Sequence, residues 1–404
     1  MGKSELNRNS SVFPFWVRRF FCLLTFVLVY PSFGQLYVSV IKNYELPQLV
    51  FAENALGLES QMKLCQNTKG EFIVSVDSLR RNIQINYLES NTVTKIQMND
   101  EVQKFYEEIG LNFEDAFVIK DTLHMLLNQR FYFQIVFDLN GVVKSSQMTN
   151  IYDSFGIYCK SAYSKGQEFY IYSDTRFTSP GEVPVKVKLY KCSNGSICDI
   201  WEDIMYAKQT NYGILKTFFY NNNHFSYINP VSGILSKVYY HNDSVSMLDI
   251  SGKLKLNNFK PGTKKMERDS ISIGYLSGEI RPNSKIIKAY SSSEKEIFLL
   301  VKRNSDSASF ELLKYYLEEE LLLSQGCFPK ISRYKEMLKG NLPVPFVALE
   351  SYVLAGKLYV LYPYLNNPLK STDFFNFLSD FKEVAFKRYT TGFKVGLTEF
   401  KLKN

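Results

Sequence analysis

Histidine is nearly missing from this chain: His124, His224 and His241 are the three in 404 residues. No two of them stand four apart and no H-E-x-x-H occurs, so the sequence offers no helical zinc site. Tryptophan is scarcer still, with Trp16 and Trp201 alone. No G-x-S-x-G elbow is present, which argues against an α/β-hydrolase domain. The stretch "KPGTKKMERD" from Lys260 is basic but lacks the glycine and lysine spacing of a phosphate loop, and it reads as an exposed loop. Long like-charge blocks and low-complexity tracts are absent too, so the chain is expected to fold nearly throughout.

The longest apolar run, interrupted only by Thr25, is also short. It covers Phe20 to Tyr30, behind Lys3, Arg8, Arg18 and Arg19. A spanning helix needs roughly 20 apolar residues. A positive start, a short apolar stretch and the small residues Ser32 and Gly34 fit a secretory signal cut between Gly34 and Gln35. An uncleaved N-terminal anchor is the alternative. Cys22 stands near the start of the run rather than at its end, so lipid attachment there is rejected. Residues 1–34 are therefore expected to be a signal peptide and 35–404 a single domain, periplasmic or secreted, with no membrane span after cleavage.

Net charge is +8, and the first 34 residues hold four basic side chains against Glu5, which leaves about +5 for the rest. That is too mild to suggest nucleic acid. Once Cys22 is removed, Cys65, Cys159, Cys192, Cys198 and Cys327 remain. Outside the cytosol such cysteines are free to pair. Cys192 and Cys198 bracket Asn194-Gly195, a turn signal, and a Cys192–Cys198 disulfide is expected. The alternative is two small, half-buried residues beside a turn. A zinc site is not expected, because no second pair completes four ligands, and neither is any other metal or cofactor.

What is abundant is aromatic: 32 Phe and 28 Tyr, usage typical of strands. One pattern recurs, a polar turn followed by a short aromatic and β-branched run. It appears as "KGEFIVSVDS" from Lys69, "KDTLHMLLNQ" from Lys120, "KGQEFYIYSD" from Lys165, "NNNHFSYINP" from Asn221, "SEKEIFLLVKRN" from Ser293 and "AGKLYVLYPYL" from Ala355. A second strand follows most copies, as in "NIQINYL" from Asn82 and "FYFQIVFDLNG" from Phe131. The anchors Phe72, Leu123, Phe169, Phe225, Ile297 and Leu358 recur every 46 to 72 residues. Units of that size, with three or four short strands each, predict an all-β protein, a β-propeller of six blades, with seven as the alternative. Short rim helices are expected from Asn99 ("NDEVQKFYEEIG"), from Ser196 ("SICDIWEDIMYAK") and from Ser371 ("STDFFNFLSDF"). The stretch "FELLKYYLEEELLLSQG" fits strand in its first half and is open in its second.

The signal segment, the repeated strands and turns such as "DLNG" from Asp138 and "DISGK" from Asp249 resemble those of secreted bacterial six-bladed β-propellers of the NHL/TolB-like group. The resemblance covers Leu58 to Asn404 and is architectural. It implies the fold and a role as a binding platform, and it carries over no functional residue.

Two functions compete. The favoured one is a non-catalytic binding or scaffold protein for a protein, peptide or glycan. The rival is a carbohydrate-active enzyme, a glycosidase or lyase, with carboxylates at the channel mouth. Asp77, Asp138, Asp153, Asp174 and Asp249 stand at expected strand ends, where aspartate is also ordinary turn chemistry. Arginines give one further candidate. Arg80, Arg81, Arg130, Arg176 and Arg303 all follow repeats of the first-listed strands, so a propeller would gather them on one face. A basic ring there would suit an acidic ligand.

Overall fold

In the computed structural model, residues 39–50, 62–77, 82–90, 92–109, 113–174, 185–205, 216–254, 284–291, 293–303, 309–328, 350–364 and 394–402 are described. They form six four-stranded antiparallel sheets in a β-propeller arrangement, with a few short helices. Strand β1 (Ser39–Val50) comes first in the chain but belongs to the last sheet. Sheet I holds β2 (Met62–Asn67), β3 (Gly70–Asp77), β4 (Asn82–Tyr87) and β5 (Val93–Gln97). Sheet II holds β6 (Phe113–Ile119), β7 (Thr122–Leu127), β8 (Phe131–Phe137) and β9 (Val143–Asn150). Sheet III holds β10 (Ser161–Lys165), β11 (Glu168–Asp174), β12 (Val185–Ser193) and β13 (Ser196–Met205). Sheet IV holds β14 (Phe218–Tyr220), β15 (His224–Ile228), β16 (Ile234–Tyr239) and β17 (Val245–Asp249). Sheet V holds β18 (Ser284–Ser291), β19 (Glu296–Arg303), β20 (Ser309–Tyr316) and β21 (Leu321–Phe328). Sheet VI holds β22 (Glu350–Leu354), β23 (Lys357–Tyr364) and β24 (Lys394–Lys401), and β1 pairs with β24 to complete it. The two ends of the described chain are thereby joined by backbone hydrogen bonds in one sheet.

Neighbouring sheets meet through their first strands. β2 lies against β6, β6 against β10, β14 against β18, β18 against β22 and β22 against β2. Lys216 and Lys288 form a parallel bridge between sheets IV and V, with Lys216 N–H donating to Ile287 O (3.1 Å) and Ala289 N–H to Lys216 O (2.8 Å). Sheets III and IV are joined by rings instead: Tyr172 and Phe218 are 4.2 Å apart, and Tyr163 and Tyr220 are 5.8 Å apart.

Each sheet is covered on both faces near the centre, and the sequence shows why. Phe72, Ile73 and Val74 are consecutive in β3 and all fully buried, so side chains pointing both ways meet packed neighbours. The same holds for Leu123 to Leu127 in β7. Burial fades outward: β5 is half-buried to exposed, β9 is polar and half-buried to exposed, and β17 is largely exposed, Met247 included. Tight two-residue turns join neighbouring strands in several sheets. Lys120-Asp121, Asn194-Gly195 and Ala355-Gly356 each carry two positive φ angles, the geometry that matches strand twist.

Three short helices are described. α1 (Asp100–Ile109) is capped by Asn99, whose Oδ1 accepts Val102 N–H at 3.0 Å. α2 (Ile151–Phe155) is capped by Asn150 and closed by Gly156. α3 (Ser251–Leu254) is a single turn. The expected helix at Ser196 is instead β13. A bulge opposite Leu189 and Tyr190 leaves Ile200 without a register partner and breaks the alternation, so Ile197, Ile200, Trp201 and Ile204 imitate helical spacing. The open stretch from Phe310 lies in the β20–β21 hairpin. The expected helix at Ser371 lies outside the described residues.

The "DLNG" turn does more than reverse the chain. Asp138 Oδ1 accepts N–H groups of Asn140 (2.9 Å) and Val142 (2.8 Å). Gly141, at φ +73, offers its carbonyl to the Tyr87 hydroxyl of sheet I at 3.1 Å, under the Lys69 side chain. A Cβ at Gly141 would collide with Tyr87 and the Lys69 stem. Gly141→Ala is expected to lower stability by about 1 to 3 kcal/mol through strain and a loosened I–II junction, read as a shifted urea midpoint.

Candidate functional site

The inner strands meet around an ion-paired centre. Asp115 on β6 is 2% exposed. Its carboxylate accepts the Ser161 hydroxyl of β10 at 2.5 Å and pairs with Lys216, which leads into β14. Sheets II and IV are not neighbours, so this pair bridges past sheet III near the axis. Cys65 of β2 lies in the field of the same groups: burial pushes its thiol up to about 12, with Lys216 opposing and Asp115 adding. Beside this centre Lys160 Nζ pairs with Glu114 at 3.0 Å. Lys63 and Lys288 are buried on β2 and β18. One further carboxylate network links sheets VI and I. Glu399 accepts the Tyr44 hydroxyl (2.9 Å) and pairs with Lys357 (2.8 Å), while Glu71 accepts the Tyr359 hydroxyl (2.8 Å).

Such pairing holds sheets together, and it does not make a general acid. A glycosidase needs two carboxyl groups facing one bond, one of them protonated. Here each of these buried acids is neutralised by lysine or bound by a hydroxyl. Three of the strand-end aspartates are equally occupied. Asp138 serves its turn, Asp153 accepts Asn150 Nδ2 (2.8 Å), and Asp249 accepts Ser251 N–H (2.9 Å). Asp174 is buried at the end of β11, and Asp77 ends β3.

The two strand histidines are packed, as their positions suggest. His124 stacks on Phe117 (5.2 Å), with Tyr163 edge-on at 4.9 Å. Its Nδ1 is 2.5 Å from the Tyr132 hydroxyl, which already accepts Ser164 N–H at 3.0 Å. The Tyr132 hydroxyl proton is free to be donated to Nδ1, and burial holds the imidazole neutral, with its pKa lowered to about 3. His224 meets Asn221 Nδ2 at 2.9 Å, and burial, then Lys237, lowers it to about 4. Among the described residues no cluster of three His, Cys, Asp or Glu could hold a metal ion, and no helix is long and apolar enough to cross a membrane.

Of the five arginines, Arg130 lies in the β7–β8 turn and Arg303 is the last residue of β19. Arg80, Arg81 and Arg176 lie outside the described residues, as do residues 1–34. The Arg130 guanidinium is 4.8 Å from the Phe105 ring and 4.6 Å from the Tyr152 ring, and it donates to the Tyr158 hydroxyl at 3.4 Å. The protein's own aromatics thus take up this guanidinium.

The expected Cys192–Cys198 bridge is corrected. Cys192 pairs with Ile197 and Cys198 with Lys191, so the two side chains leave opposite faces of the hairpin. Both thiols are free; Cys192 is buried and held at about 11, and Cys198 is exposed. A maleimide applied to the native protein should label Cys198 and spare Cys65, Cys159 and Cys192, as counted by peptide mass. Protection of Cys198 until reduction would contradict this.

Sequence reading passed over Asp115 and Ser161. The available signal was "FEDAFVI", an acidic pair inside an apolar strand, where a carboxylate must find a partner.

No protein-family model matches the chain, and neither does any curated protein. Among solved structures, a luciferin-regenerating enzyme is 10% identical over 90% of this chain and 97% of its own, with a TM-score of 0.41. A putative exported protein of Bacteroides fragilis is 11% identical over 91% and 96%, with a TM-score of 0.41. A calcium-binding regucalcin of Agrobacterium tumefaciens is 11% identical over 88% and 94%, with a TM-score of 0.33.

Proposed function

We propose that this chain is a secreted or periplasmic β-propeller, each of its six sheets one blade, that serves as a non-catalytic binding platform for a protein, peptide or glycan. The observation that supports this reading is the neutralised centre: Asp115 is tied to Lys216 and Ser161, and Glu114 to Lys160. Carboxylates spent on joining sheets leave recognition to the faces and outer grooves. The platform operates after removal of residues 1–34, and N-terminal sequencing of the exported protein should begin at Gln35. Full-length chain retained in the membrane would refute that cut.

Residues 35–404, incubated with oligosaccharide panels, are expected to bind without cleaving. Turnover that survives repurification and disappears in a carboxylate variant would overturn the non-catalytic reading in favour of a glycosidase or lyase. The connections after β3, β7 and β11 and the last residue of β19 supply the arginines of a basic face. Arg80, Arg81, Arg176 and Arg303 would face an acidic ligand there, with Arg130 bracing the aromatics beneath. Replacing Arg81 and Arg176 with serine should weaken any salt-sensitive binding of acidic peptides or glycans; unchanged binding would remove the basic face from recognition.

A further inference from the structure

Between sheets II and III lies a cleft of about 420 Å³, within the roughly 300–1,000 Å³ range of small-molecule sites. One wall is a patch of sheet II. Gln134 and Gln147 are directly opposed in the β8–β9 register, and Tyr132 and Thr149 form the next same-face pair. The facing wall is the β10–β11 hairpin, with Ser164, Gln167 and Phe169, and Asn194 reaches in from the β12–β13 turn.

The composition of this lining is selective. Every polar side chain is an amide or a hydroxyl, and no lysine, arginine or carboxylate contributes. A carboxamide offers donors and an acceptor on one plane, and a hydroxyl offers both on one atom. That set matches adjacent hydroxyls of a sugar ring, each of which both donates and accepts. A charged ligand would lose hydration here and meet no countercharge. Phe169 supplies an aromatic wall for the apolar face of a pyranose. It is half-buried and held edge-on to Tyr132 at 5.5 Å, so its ring is fixed in advance. Tyr132 is fixed in turn by His124 and Ser164 N–H, leaving its hydroxyl committed and its ring as floor.

We infer that the cleft between sheets II and III is a binding subsite for a neutral saccharide. This deepens the binding-platform reading and rests on it, naming a neutral glycan as one ligand. With no carboxylate in the lining, a sugar held there is not hydrolysed there.

The test uses residues 35–404 and isothermal titration against neutral oligosaccharides of glucose, mannose, galactose and N-acetylglucosamine, with a polyuronate as the charged control. At least one neutral sugar should bind, with a Kd that changes less than about twofold between low and high salt. Gln147→Ala and Gln167→Ala remove exposed amides from opposite walls. Each should weaken binding about fivefold or more, with an unchanged melting temperature. Absence of binding by every neutral sugar, binding indifferent to both substitutions, or binding confined to the polyuronate and lost in salt would each overturn the subsite. A bound sugar that is cleaved would overturn the non-catalytic reading and leave the subsite standing, provided both glutamine variants weaken binding.

Discussion

Asp115→Ala is expected to destabilise the protein by about 3 kcal/mol, read from urea unfolding at neutral pH. The carboxylate is 2% exposed and serves two partners from two other sheets. Its loss strands the Ser161 hydroxyl and leaves Lys216 without its countercharge. Removing one partner of a buried pair costs about 3 to 5 kcal/mol; Lys216, with a side chain 36% exposed, recovers some hydration, which sets the lower end. Asp115→Asn keeps a partner for Ser161 and loses the charge, so it should cost about half as much. Lys216→Met should cost at least as much as Asp115→Ala, because it leaves the more buried charge unpaired. The double variant Asp115→Ala/Lys216→Met should lose less than the sum of the singles. A loss below about 0.5 kcal/mol for Asp115→Ala would mean that the inner strands are held by apolar packing alone.

That centre was the part hardest to read in the sequence. The second strands were plain: "EFIVSV", "TLHMLL" and "HFSYI" are runs buried on both faces, and β-branched and aromatic density marks them. The first strands carry charges inside short apolar segments, as in "MKLCQN" and "FEDAFVI", so periodicity reads them as loop edges. Their burial exists only once other sheets surround the axis. The pairing of β1 with β24 spans nearly the whole chain and leaves no local trace. The misread β13 and the misplaced disulfide have one origin, the register of the β12–β13 hairpin. Residue spacing showed a turn between Cys192 and Cys198, and only the strand pairing showed which faces they leave. The sugar-sized cleft was equally hidden. Gln147 and Gln167 are ordinary exposed amides until β9 and the β10–β11 turn stand opposite each other.

Acid should weaken this protein well before its carboxylates titrate. In the unfolded chain His124 and His224 take protons near pH 6.5. Folded, burial holds them at about 3 and about 4, with Lys237 adding to the effect on His224. Because the native state binds fewer protons, this stability is fully present above the unfolded pKa. It is lost as pH falls from 6.5 toward 4. Each histidine then costs about 1.4 kcal/mol per pH unit, so between pH 8 and pH 5 each removes about 2 kcal/mol and the pair about 4. Most aspartates and glutamates titrate below about pH 5, so the histidines dominate that interval. Urea unfolding at pH 8, 6.5, 5.5 and 5 should show the decline. His124→Gln keeps a polar partner for the Tyr132 hydroxyl, and His224→Gln keeps one near Asn221. Each substitution should lower stability at pH 8 and flatten the slope by about one proton, and the double variant by about two. A slope in the double variant equal to that of the parent would show that neither imidazole is held neutral by its strand.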